Sequence, residues 1–330
     1  MQNYILPSTA FVVRSRSEIQ LKLAESLHHI IFDVLSAKFD PPVSEPNFHN
    51  LMSGETNFPK PAIFALHGAL LNAVLDDDLS EVPELFRILK NSGFWKNWEP
   101  DRFLIKPLSE KDMHRDDVLL LKRAFADDIG LTTTLIAPTH SEVERGTHFV
   151  NEAMQTLEQT APGWMEELLL LANQIYFAVA DTESRLLFGG AAVFDAFGAV
   201  LMNPLGCRSA PEALMTLIHE SSHQQMFLFH LKDPILHNDA AAAYASPLRA
   251  QPRPMEGIFH ALWVSARMVA AAEAVLKSPN RPTWAEDLRA HQTSAYGAFR
   301  DCEYTVAKHA ELSDLGQALF KSAQETINAI

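Results

Sequence analysis

The stretch Ala210-Pro211-Glu212-Ala213-Leu214-Met215-Thr216-Leu217-Ile218-His219-Glu220-Ser221-Ser222-His223-Gln224-Gln225-Met226-Phe227-Leu228-Phe229-His230-Leu231 has the spacing of a helix running from Pro211 to about Leu231. Leu214, Leu217, Ile218, Leu228 and Phe229 fall on one arc, which predicts that this side is anchored in the core. His219 and His223 fall on the opposite arc, flanked by Met215, Met226 and His230. Residues four apart on a helix are separated by only about 40° around the axis, so both imidazoles project from one face. Together with Glu220 they form an HExxH sequence. Two neutral imidazoles on one turn can grip a divalent first-row metal and leave positions open for other ligands.

Helical spacing recurs on both sides of this segment. Apolar positions predict helices over 17–38, 61–75, 81–91, 113–129, 142–159, 256–277, 283–309 and 313–328, and another from Pro162 to about 180. Ser141 with Glu144 suggests a capping box for the helix at 142–159. Pro41-Pro42 stops the first helix, and 43–60 and 233–254 read as loops. Thr132–Ala137 is β-rich, and Leu186–Met202 suggests a small hairpin whose second strand is Ala199–Met202. The expected class is therefore mainly α, with a small β-hairpin or sheet near the metal-binding helix. A soft boundary divides an N-terminal helical region, 1–135, from a metal-binding catalytic region, 136–330.

Composition narrows the function. The chain of 330 residues has a formal charge of −14, which argues against non-specific nucleic-acid binding because phosphate neutralisation needs clustered Lys and Arg. Two cysteines exclude a disulfide framework and a CxxC zinc site, which fits a reducing, cytoplasmic setting. Neither a secretory signal nor a membrane span is expected. The 14 histidines are the unusual count, and most are read as solvent-facing or structural.

The chemistry turns on a third ligand. The metzincin extension fails, because position 226 is Met, 229 is Phe and His230 arrives one residue late. Glu256 lies outside the context usual for a zinc-protease glutamate, which leaves His260 as the candidate, with His230 and His237 in reserve. Three histidines with open positions suit zinc hydrolysis or non-haem Fe(II) equally. Arg249, Arg253 and Arg267 surround His260 in sequence. A guanidinium near the metal could pair with a carboxylate of 2-oxoglutarate. Arg253 is stiffened between Pro252 and Pro254, and Arg267 stands seven residues after His260 on the same predicted helix face.

These segments together resemble the HExxH-motif proteins associated with ribosomally made, modified peptides, described as 2-oxoglutarate-dependent peptide β-hydroxylases. The resemblance spans about 150–275. It rests on Ala161-Pro162-Gly163-Trp164, Phe188-Gly189-Gly190-Ala191-Ala192, Phe197–Pro204, Leu217–Gln224, Tyr244–Arg249, and Pro252-Arg253-Pro254 with Gly257 and His260. Leu248, Ala192 and Ala261 depart from residues common there, and the N-terminal third matches only in being helical. The resemblance implies Fe(II) held by His219, His223 and His260, with 2-oxoglutarate as co-substrate decarboxylated to succinate and CO₂. The substrate would be the side-chain β-carbon of a precursor peptide, recognised through a leader segment or a partner protein. Glu220 would then orient a ligand or a metal-bound water. The alternatives are a zinc metallopeptidase with Glu220 as general base, and a non-enzymatic binding protein on a degenerate scaffold.

Overall fold

The computed structural model describes residues 3–52, 58–91, 103–129, 134–181, 188–231, 233–245 and 251–330. The fold is mainly α. Its helices are α1 (Thr9–His28), α2 (Glu45–Met52), α3 (Pro61–Leu75), α4 (Val82–Lys90), α5 (Arg115–Ile129), α6 (His140–Thr160), α7 (Pro162–Leu171), α8 (Ala210–His230), α9 (Met255–Lys277), α10 (Ala285–His309) and α11 (Asp314–Asn328). The strands are β1 (Leu104–Pro107), β2 (Leu135–Ile136), β3 (Ala172–Phe177), β4 (Val179–Ala180), β5 (Gly190–Ala191) and β6 (Gly198–Met202). The chain forms two compact units that interleave in sequence. A helical unit comprises Met1–Val12, Glu144–Leu171 and Pro204–Ile330, and a sheet unit comprises Val13–Val143 and Ala172–Asn203. The candidate metal helix, α8, belongs to the helical unit, and the sheet to the other.

In the sheet unit the strand order is β1-β3-β6-β5. β3 runs parallel to both β1 and β6, with Ile105 and Val200 each opposite Ile175, while β5 closes the edge antiparallel to β6. The expected hairpin is present as β5 and β6, but within this larger sheet. The helix expected from Pro162 to about 180 stops at Leu171, and Ala172–Phe177 is a strand. All six of its residues are buried, so the run has no solvent-exposed face and its periodicity cannot separate strand from helix. Two smaller differences concern helix ends. Glu45–Met52 is a helix inside the expected loop, and the residue capping α6 is Thr139 rather than Ser141, with the Glu142 carboxylate accepting from the Thr139 N–H at 2.7 Å. Lys60, just before α3, donates to Asp117 on α5 at 2.7 Å in a buried ion pair. Gly68 lets α3 approach the Phe194–Ala196 turn closely, since an added Cβ there would have to push the Asp195 carboxylate aside.

The helical unit is built around α9. Its length and hydropathy would suffice to cross a membrane, yet 72% of the apolar window is buried inside the protein, which makes it a core helix. Phe259 and Trp263 are fully buried, and the Trp263 indole N–H donates to Gln225 of α8 at 3.1 Å. Ser209 caps α8, its hydroxyl accepting from the Glu212 N–H. Leu214, Leu217, Ile218, Leu228 and Phe229 are all buried, as the arc predicts. α10 and α11 complete the packing. The ends of the chain meet here, with the Tyr4 N–H donating to Ser322 at 2.8 Å and the Asn3 amide to Thr326 at 3.1 Å.

Candidate metal centre

α8 and α9 present a row of half-buried imidazoles. His219 and His223 approach through their Nε2 atoms at 3.2 Å. On its other side His223 turns Nδ1 to Nδ1 of His260 at 3.3 Å, and His260 turns Nε2 to Nε2 of His230 at 3.4 Å. Glu256, one turn before His260, ends the row with a carboxylate oxygen 3.5 Å from His230 Nε2. Two sets of ligand atoms converge within 4.8 Å of one another: His219, Glu220 and His223, and His230, Glu256 and His260.

Bonds of about 2.1 Å from nitrogen to a first-row ion place two ligand atoms about 3.0 Å apart at right angles and about 3.4 Å at tetrahedral angles. The 3.2 Å between His219 and His223 fits a shared ion. Burial also keeps the rings in the neutral form that a metal requires. It pushes His219 down to about 4, and His260, with His230 beside it, down to about 3. His223 is lowered by burial and further by His219, His260 and the positive charge of Arg253. Glu220 is only 5% exposed, with a carboxylate oxygen within 4.8 Å of the ligand atoms of both His219 and His223.

The three imidazoles expected to hold one ion are thus brought together, but as a row. Because the two nitrogens of His223 point away from each other, His260 faces the far side of the ring that meets His219. His230, which sequence reasoning kept only in reserve, is the neighbour of His260. Glu256 was set aside for lacking a protease context, although its place four residues before His260 puts both on one face of α9.

The arginines separate sharply. Arg249 lies outside the described residues. Arg253 pairs with Tyr244 across a two-residue bridge, N–H to carbonyl at 2.8 and 2.9 Å, and its side chain passes over Gly257 at the start of α9. Arg267 is corrected as a 2-oxoglutarate ligand. It is 1% exposed, and its donors are taken by Ser222 Oγ at 3.0 Å, the Ile5 carbonyl at 2.8 Å and the Glu167 carboxylate, with its guanidinium over Trp164. It binds α9 to α7, α8 and the N-terminal segment.

No family model matches the chain, and no curated protein matches it either.

Proposed function

We propose that the helical unit is a non-haem Fe(II), 2-oxoglutarate-dependent oxygenase that hydroxylates a side-chain β-carbon in a ribosomal precursor peptide. The observation that carries this reading is the convergence of His219, Glu220 and His223, two imidazoles and a carboxylate within 4.8 Å of one another. That donor set, with positions left open, suits non-haem Fe(II). When bound, the iron and its co-substrate supply the oxidising power for an unactivated C–H bond.

The chain's own residues do the positioning. His219 and His223, whose Nε2 atoms face each other at 3.2 Å, would hold the ion. With Nε2 on the ion, His223 would carry its proton on Nδ1, which faces Nδ1 of His260, the kind of outer partner that fixes the tautomer and orientation of a metal-bound imidazole. Arg253, whose charge reaches His223, is the remaining described arginine suited to the distal carboxylate of 2-oxoglutarate. The arc of buried leucines keeps α8 rigid behind the ligands.

The test is anaerobic reconstitution with Fe(II), then exposure to oxygen, 2-oxoglutarate and the precursor peptide encoded beside the gene. Succinate formation matched by a peptide mass gain of one oxygen atom is expected. Peptide cleavage with zinc alone would instead assign Glu220 as the base of a peptidase, a reading favoured by its place beside both histidines.

A further inference from the structure

We propose that His230, Glu256 and His260 form a second divalent-cation site, so that the row on α8 and α9 takes two first-row ions rather than one. The proposal goes beyond the oxygenase reading and stands without it, since an ion count needs no turnover.

Three observations support it. The ligands come from two rigid helices: His230 ends α8, and Glu256 and His260 stand four apart on α9. Their ligand atoms lie within 4.8 Å of one another, with His260 Nε2 and a Glu256 oxygen 3.4 and 3.5 Å from His230 Nε2. These separations come within about a tenth of an ångström of the span set by metal–nitrogen bonds. The donor set offsets one of the two cationic charges and matches borderline ions such as Zn(II), Co(II) and Fe(II). The site also opens outward, since the Glu256 side chain is 61% exposed, leaving room for water or a further ligand. A carboxylate at a helix start and an imidazole at a helix end have an ordinary electrostatic role as well. That role explains the two residue types but not their convergence on His260.

The contact between His223 and His260 couples the sites. An imidazole bound through Nε2 carries its proton on Nδ1. Ions at both sites would therefore set two N–H donors against each other across the 3.3 Å between His223 and His260. The second ion binds more weakly than it would alone, on the order of tenfold, the effect of one opposed hydrogen-bonding contact.

Equilibrium dialysis of the full apo-protein against Zn(II), with metal counted by atomic emission, tests this. Two ions per chain are expected at saturation in a His49→Ala background, which disables the separate His28, Glu45 and His49 group. Glu256→Gln and His230→Gln each retain one. His219→Ala also retains one, held about tenfold more tightly than the weaker ion of the His49→Ala protein. Matching circular-dichroism unfolding curves establish that the variants are folded. One ion per chain, unchanged by Glu256→Gln, overturns the second site and leaves the first centre standing. One ion lost in both Glu256→Gln and His219→Ala overturns it too, in favour of a single shared site. Two ions responding as expected, without succinate formation, would remove the oxygenase reading alone.

Discussion

Two of the polar junctions between α8 and α9, the imidazole row and the enclosure of Arg267, are opposites. At the imidazole row, nitrogens face nitrogens at 3.2 to 3.4 Å, and the rings are half-buried. At Arg267 the guanidinium is enclosed, and every one of its nitrogens donates to a fixed partner. A polar group whose capacity is saturated by its own chain holds the fold together. A set of imidazoles converging on one another, kept neutral by burial, is arranged to receive something else.

The largest expected effect tests the structural half of that contrast. Arg267→Ala leaves the Glu167 carboxylate buried without its cation and costs about 3–5 kcal/mol, read by urea unfolding. The double variant Arg267→Met/Glu167→Gln recovers part of this loss. Unchanged stability with weakened 2-oxoglutarate binding would move Arg267 back to the active site. For the other half, His223→Ala lowers metal affinity by more than about 100-fold while the apo-protein stays folded. Calorimetric titration with Zn(II) reads this directly. Arg253→Gln raises the Km for 2-oxoglutarate on the order of tenfold, the scale of one charge-assisted hydrogen bond, and leaves the unfolding midpoint in place. Ser222→Ala removes one acceptor from Arg267 and the 2.5 Å donation to the Ile218 carbonyl, costs about 1 kcal/mol, and spares metal affinity.

Acidity sharpens the same contrast. The unfolded chain protonates His219 and His260 near pH 6.5, whereas the folded rings resist to about 4 and about 3. Below 6.5 the unfolded state therefore binds more protons, and stability falls as pH drops toward 4. Apo-protein unfolding followed across pH 4 to 8 should show this slope, and His219→Ala should flatten it.

Much of this was legible in the sequence because it depends on local rules. The Pro61–Leu75 helix follows from proline at its first position and apolar spacing, and the HExxH pair follows from residues four apart on an anchored helix. What was not legible depends on environment. β3 is buried on both faces and so shows no alternation. Arg267 does follow His260 by two helical turns, but that places it about 10 Å further along the axis, among the N-terminal segment and Glu167 rather than at the metal. His230 was discounted for missing a metzincin register, when the ring it meets comes from another helix.

The interleaving of the two units also sets an order of events during synthesis. Residues 13–203 contain the whole sheet unit, so that unit can close before the rest of the chain has been made. The helical unit cannot. Its segment around Asn3, Tyr4 and Ile5 waits for Arg267, Ser322 and Thr326 to leave the ribosome, and the metal row waits for His260 to reach α8. An ion captured earlier would meet His219 and His223 on a helix that α9 has not yet joined.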